Sequence, residues 1–112
     1  MPLRFAPLAV RDLESIGEYI AADNPRRAMT FVQEIRRHCR GISQNPLAYR
    51  ARPELGGATR SCVHGNYVLF FDVTDGEVVI LRVLHGARDL NSGLFHGERA
   101  EPVKPLAGPS EG

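Results

Sequence analysis

Apolar residues recur at helical spacing through the first half of the chain. Ala9, Leu13, Ile16 and Ile20 follow steps of four, three and four, while Arg11, Glu14 and Glu18 run down another side. This is the pattern of an amphipathic helix. Pro7 suits its first turn, where a missing N–H costs nothing. "NP" at positions 24 and 25 ends that helix near Asp23, then supplies an Asn cap with Pro at the next first position. Ala28, Phe31, Ile35, Cys39 and Ile42 mark a second helix, with Thr30, Gln33, Arg37 and Arg40 facing elsewhere, until "QNP" at 44 to 46 stops it. The two helices form an antiparallel hairpin. "LRF" at 3 to 5 reads as a short strand before them.

The period then changes. "LAYRARPELGGA" has the Pro and Gly content of a loop. "TRSCVH", "YVLFFDV" and "VVILRVLH" are strand-like runs separated by "GN" and "TDGE", both strong hairpin signals. The expected fold is α+β: a short N-terminal strand, an α-helical hairpin, and a three-stranded antiparallel meander. Tyr67 to Phe71 and Val78 to Leu84 are nearly continuous in apolar character, which implies that both sheet faces are covered. One helical hairpin covers one face. The second needs the segment after residue 88 or a partner.

At 112 residues the chain holds one domain, expected over residues 1 to 97. Residues 98 to 112 carry three prolines and two glycines with few aliphatic side chains, and are expected to be a flexible tail unless bound. No apolar run approaches the roughly 18 residues of a membrane span, and no signal peptide is evident, so a cytoplasmic location is expected. Cys39 and Cys62 fit no metal spacing and read as buried, reduced thiols.

The net charge of +1 conceals an asymmetry. Residues 26 to 60 hold eight arginines against Glu34 and Glu54, whereas the segments before and after are net acidic. This region suits an acidic partner, or is simply a solvated helix face.

Charge also gathers at the end of the last strand, in "LRVLHGARDLN". By the strand period, Arg82 shares a side with Val78, Ile80 and Leu84, and a guanidinium there must be paired or line a pocket. Asp12, Asp72 and Asp89 are candidate partners. Alternatively Arg82 forms an anion site with Arg60. His85 falls on the other side, with Val79, Leu81 and Val83. Gly86 would permit a sharp exit that Arg88 and Asp89 pair to fix. His64, beside a turn, and His96, beside the tail, have no evident partner. There is no Gly-rich phosphate loop, nucleophile elbow or zinc spacing, so no metal or nucleotide cofactor is expected.

The motifs "AVRDLESIGEYIAADNPRRAMTFV", "RPELGGATRS", "YVLFFDV" and above all "ILRVLHGARDL" resemble the ParE/RelE superfamily of bacterial type II toxins, in detail ParE, over about residues 3 to 91. The resemblance implies a cytoplasmic toxin held in a hetero-oligomer by a ParD-like antitoxin and acting on DNA gyrase by binding, without catalysis. RelE-like relatives instead cleave mRNA on the ribosome. Arg60 and Arg82 match positions where those members carry arginines that contact the scissile phosphate, and His85 matches an acid/base position, which would make these three catalytic in a ribonuclease. The chain departs from that pattern: "GARDL" brings no aromatic acid residue, and no lysine lies within residues 1 to 103.

Target-contact candidates are therefore Arg60, Arg82, His85, Arg88 and Asp89. Antitoxin-contact candidates are Ile16, Tyr19, Ile20, Arg37, Arg40, Arg50 and Arg52. The alternatives are a ribosome-dependent endonuclease and an inactive homologue that only binds antitoxin. Direct sequence-specific DNA binding is not expected, because no helix-turn-helix pattern is present.

Overall fold

The computed structural model describes residues 1–91 of the chain, so the expected tail and His96 lie outside the described residues. Strand β1 (Leu3–Phe5) leads into helices α1 (Pro7–Ala21) and α2 (Pro25–Gln44). A two-residue strand β2 (Arg50–Ala51) is followed by β3 (Thr59–His64), β4 (Tyr67–Thr74), β5 (Glu77–His85) and a single helical turn, α3 (Arg88–Asn91).

Local chemistry accounts for these limits. The Asn24 side chain accepts the Arg27 N–H at 3.0 Å with Pro25 behind it, so α2 starts as soon as α1 has ended. Between β4 and β5, Asp75 and Gly76 both have positive φ, 52° and 75°, as a type I′ turn requires. Between β3 and β4 only Gly65 does, at 61°, the II′ pattern.

The sheet has five strands in the order β1-β5-β4-β3-β2. The expected meander is its centre, and its two edges come from elsewhere. β1 pairs parallel to β5 through Leu3↔Val78, Arg4↔Val79 and Phe5↔Ile80. The segment expected to be only loop contributes β2, which pairs with Ser61 and Arg60 and is flanked by two 3-10 turns, Pro46–Ala48 and Pro53–Leu55.

Both helices pack on one face. Ala9, Leu13 and Ile16 of α1 and Ile35, Cys39 and Ile42 of α2 meet Leu69, Phe71, Val78, Ile80 and Val83. Burying each large member fully contributes about 1.5–3 kcal/mol. On the other face Phe70 and Leu84 are almost fully buried with Leu55, Val68, Leu81 and Leu90 against them. Part of the expected second cover thus comes from α3, through Leu90, and from the turn before β3, through Leu55.

The strand period fails at one place. Phe70 opposes Arg82, but Phe71 opposes Ile80, so Leu81 is an extra residue on β5. This β-bulge reverses which residues face the helices. Val78, Ile80 and Val83 then share the helix side, while Leu81 and Leu84 join the other face. Strict alternation had grouped Arg82 with Val78 and Ile80, and His85 with Val79 and Leu81; the bulge breaks both groups. Gly86 likewise keeps an ordinary φ, so the chain leaves β5 without a left-handed residue.

Candidate functional site

β1 ends at Phe5, which leaves the outer edge of β5 without a neighbouring strand beyond Ile80 among the described residues. Edge N–H groups that are partly buried need partners, and two carboxylates supply them. Asp12, on α1, accepts the Val83 N–H at 2.8 Å, and Asp89, on α3, accepts the His85 N–H at 2.8 Å. Side chains thereby occupy the positions that another strand would use.

Asp12 also holds Arg82. The guanidinium donates from Nε at 2.8 Å and from Nη2 at 3.0 Å, a two-point ion pair whose side chains are only 7% and 13% exposed. Of the three candidate partners, Asp12 is the one engaged. Arg60 lies elsewhere: it pairs across the sheet with Phe71 on the helix side, and its Nη1 donates to the Tyr49 carbonyl at 2.7 Å. Arg82 instead opposes Phe70, whose ring belongs to the other face. The fold does not bring Arg60 and Arg82 together into one anion site.

The end of β5 is tied to α3. Arg88 donates from Nε to Asp89 Oδ1 at 2.9 Å, and its backbone N–H reaches His85 Nδ1 at 3.1 Å. Burial works to raise the Asp89 carboxyl, but the bonds from Arg88 and the His85 N–H outweigh it and hold it below the usual range. His85 Nδ1 is an acceptor here, and the ring stands edge-on to Tyr67 with centroids 5.3 Å apart. The expected Arg88–Asp89 pair is present and anchors the exit from β5.

These residues meet α1 in one recess of about 220 Å³, lined by Ser15, Ile16, Tyr19, Tyr67, Arg88 and Asp89 among others. It joins two antitoxin-contact candidates to two target-contact candidates. Tyr19 is 71% exposed at its rim, whereas Ile16 is 5% exposed and mainly serves the core. Ile20 packs partly against that core. Arg37, Arg40 and Arg50 are exposed on α2 and β2. Arg52 is half-buried, bonded to Glu54 at 2.6 Å and to Ser61 Oγ at 3.1 Å, with its guanidinium over the Phe70 ring.

A second cluster escaped the sequence reading. His64, for which the sequence showed no evident partner, faces His38 with Nδ1···Nδ1 at 2.8 Å, and His38 Nε2 lies 3.2 Å from Cys62 Sγ. The alternation of β3 places Cys62 and His64 on one face, which was a usable signal, but their match with His38 depends on how α2 crosses the strand. Among the described residues, no group of His, Cys, Asp and Glu could hold a metal ion. No helix there is long and apolar enough to cross a membrane.

The comparisons agree with this architecture. No curated protein matches the chain. Among solved structures, the chromosomal ParDE toxin–antitoxin system from P. aeruginosa is similar at 25% identity and TM-score 0.66, over 76% of this chain and 95% of that one. The toxin–antitoxin complex RelBE2 from Mycobacterium tuberculosis is similar at 30% identity and TM-score 0.56, over 75% of this chain and 95% of that one. Residues 3–90, spanning every element from β1 to the recess, match the family described as the ParE toxin of the type II toxin–antitoxin system parDE, and the chain belongs to that family of toxins.

Proposed function

We propose that this toxin is neutralised by a ParD-like antitoxin and acts in the cytoplasm on DNA gyrase, as a binding inhibitor without catalysis of its own. The observation that carries the reading is the commitment of Arg82. Its guanidinium is held at two points by Asp12 in a nearly buried pair, and Arg60, two strands away on β3, is directed to the Tyr49 carbonyl. A ribonuclease would need cations and an acid/base group around one phosphate, and the separate partners of Arg82 and Arg60 count against that arrangement.

The recess between α1 and α3 suits an interface instead. An antitoxin segment lying over Tyr19 would also cover Arg88, so neutralisation and target contact would compete for one surface. The exposed Arg37, Arg40 and Arg50 offer an acidic antitoxin segment further attachment.

The test is a gyrase assay with the purified chain, scoring supercoiling and trapped cleavage complexes. Inhibition relieved by the cognate antitoxin is expected. Unchanged gyrase activity at saturating toxin would rule the reading out. The likeness to RelBE2 supports a second reading, a ribosome-dependent mRNA endonuclease. Transcript cleavage in translating extracts, lost in Arg60→Ala or His85→Ala, would establish that one in its place.

A further inference from the structure

Away from the recess, Cys62, His38 and His64 form a continuous chain of hydrogen bonds between β3 and α2. Cys62 Sγ lies 3.2 Å from His38 Nε2, and the other nitrogen of that ring, Nδ1, lies 2.8 Å from His64 Nδ1. Phe31 stands edge-on to the His64 ring with centroids 5.6 Å apart, and Glu34, one helical turn before His38, is within electrostatic reach of His64. His38 spends both ring nitrogens inside this chain.

Only one hydrogen fits in a 2.8 Å contact between two imidazole nitrogens. When His38 Nδ1 carries it, Nε2 turns a lone pair to the thiol. When His64 carries it, His38 Nε2–H faces Sγ, and the thiol hydrogen turns to the Val63 carbonyl, 3.7 Å from Sγ. Both arrangements are satisfied throughout, so the side chains define a line along which the thiol proton can leave. A nucleophile within reach of a base that is itself oriented by a third group is the recurring arrangement of activated nucleophiles.

The two thiols differ in this respect. Burial pushes Cys39 up to about 12, and the residue is fully buried. Burial also raises the Cys62 thiol, so at rest it is neutral and needs a base to react. Cys62 is only partly buried and has that base.

We propose that Cys62 is a covalent modification site, a thiol for which His38 acts as general base and which exchanges with low-molecular-weight disulfides. Sγ attacks one sulfur of the disulfide; a Cys62–sulfur bond forms as the sulfur–sulfur bond of the reagent breaks. His38 Nε2 takes the thiol proton, and the displaced thiolate leaves with the electron pair and recovers a proton as free thiol. Cys62 is oxidised, the disulfide supplies the oxidising equivalent, and no other reactant is needed. The adduct stands where His38 meets β3, so modification displaces the His38 ring and loosens α2 from the sheet at that end.

The test uses the purified chain under native conditions with dithiodipyridine, an uncharged aromatic disulfide, following thione release and locating the adduct by peptide mass spectrometry. Modification of Cys62 with Cys39 untouched is expected, and His38→Gln should slow it by roughly a hundredfold, in the range of general-base contributions, with the circular dichroism of the folded chain retained. Equal rates in His38→Gln and wild type, or Cys62 reacting only as fast as the whole chain unfolds, overturns the proposal. If His38→Gln does not fold, His64→Gln decides by the same criterion: slowed exchange supports the relay, and an unchanged rate overturns it. The assay contains neither gyrase nor antitoxin, so its outcome is independent of the toxin's target.

Discussion

Asp12 serves three donors at once: the two nitrogens of Arg82 and the Val83 N–H. Truncating it strands a nearly buried guanidinium and an edge N–H together, so Asp12→Ala should cost about 3 kcal/mol or more, the range for breaking one side of a buried pair. Denaturant unfolding measures this, and a loss below half that value would mean that solvent or another group takes over. His38 makes a prediction about pH. Burial, then the neighbouring His64, holds its pKa below the ordinary 6.5. The unfolded chain therefore binds this proton more readily than the folded one. The stability associated with neutral His38 is complete above about pH 6.5 and declines as pH falls from there towards the folded value. Urea midpoints at pH 7.5 and 5.5 should differ, and the difference should shrink in His38→Gln; an equal difference in both proteins would remove His38 as the cause. Arg82 could be read as a residue that must be paired or line a pocket, because its apolar neighbours are sequential. Its partner could only be narrowed to three carboxylates, since Asp12 lies seventy positions away on a different element.

The elements themselves were the most legible feature. Helical spacing, the "NP" junction and the two turns are local signals, and each acts within a few residues of where it is written. Asn24→Ala should therefore cost about 1 kcal/mol, the usual value of an N-cap, with thermal unfolding as the measurement and Asn24→Ser as the variant that restores it. The Asp75–Gly76 turn is stricter: with φ of 75° at Gly76, Gly76→Ala should cost about 1–2 kcal/mol, the penalty of a side chain in that region. An unchanged midpoint would show that the turn relaxes to another type. What was not legible was the bulge at Leu81. No residue there announces it, because the apolar run from Val78 to Leu81 fits either register, and only the fit of β5 to β4 and the helices selects one. β2 was missed for a related reason. Two residues carry no period, and a strand that short exists only because β3 offers it an edge.

Over the whole molecule, the proposed function rests on the sheet order and on the recess beside it. If the antitoxin lies over the recess, Tyr19→Ala should weaken its binding by on the order of tenfold, the scale of an exposed aromatic anchor, while the melting temperature stays unchanged because Tyr19 contributes little to the core. Calorimetric titration of the toxin with the antitoxin measures it, and undiminished affinity would place the interface elsewhere. By itself the sequence determined the helices, the central hairpins, the family and the concentration of arginine in residues 26 to 60, since these are recorded in spacing, turn chemistry and motif. Only the tertiary structure decided that β1 joins the far edge beside β5, that Arg82 belongs to Asp12 while Arg60 reaches the Tyr49 carbonyl two strands away, and that His38 meets His64 and Cys62. Those pairings join residues distant along the chain, and they depend on the register of the strands and the crossing of the helices, which no single segment specifies.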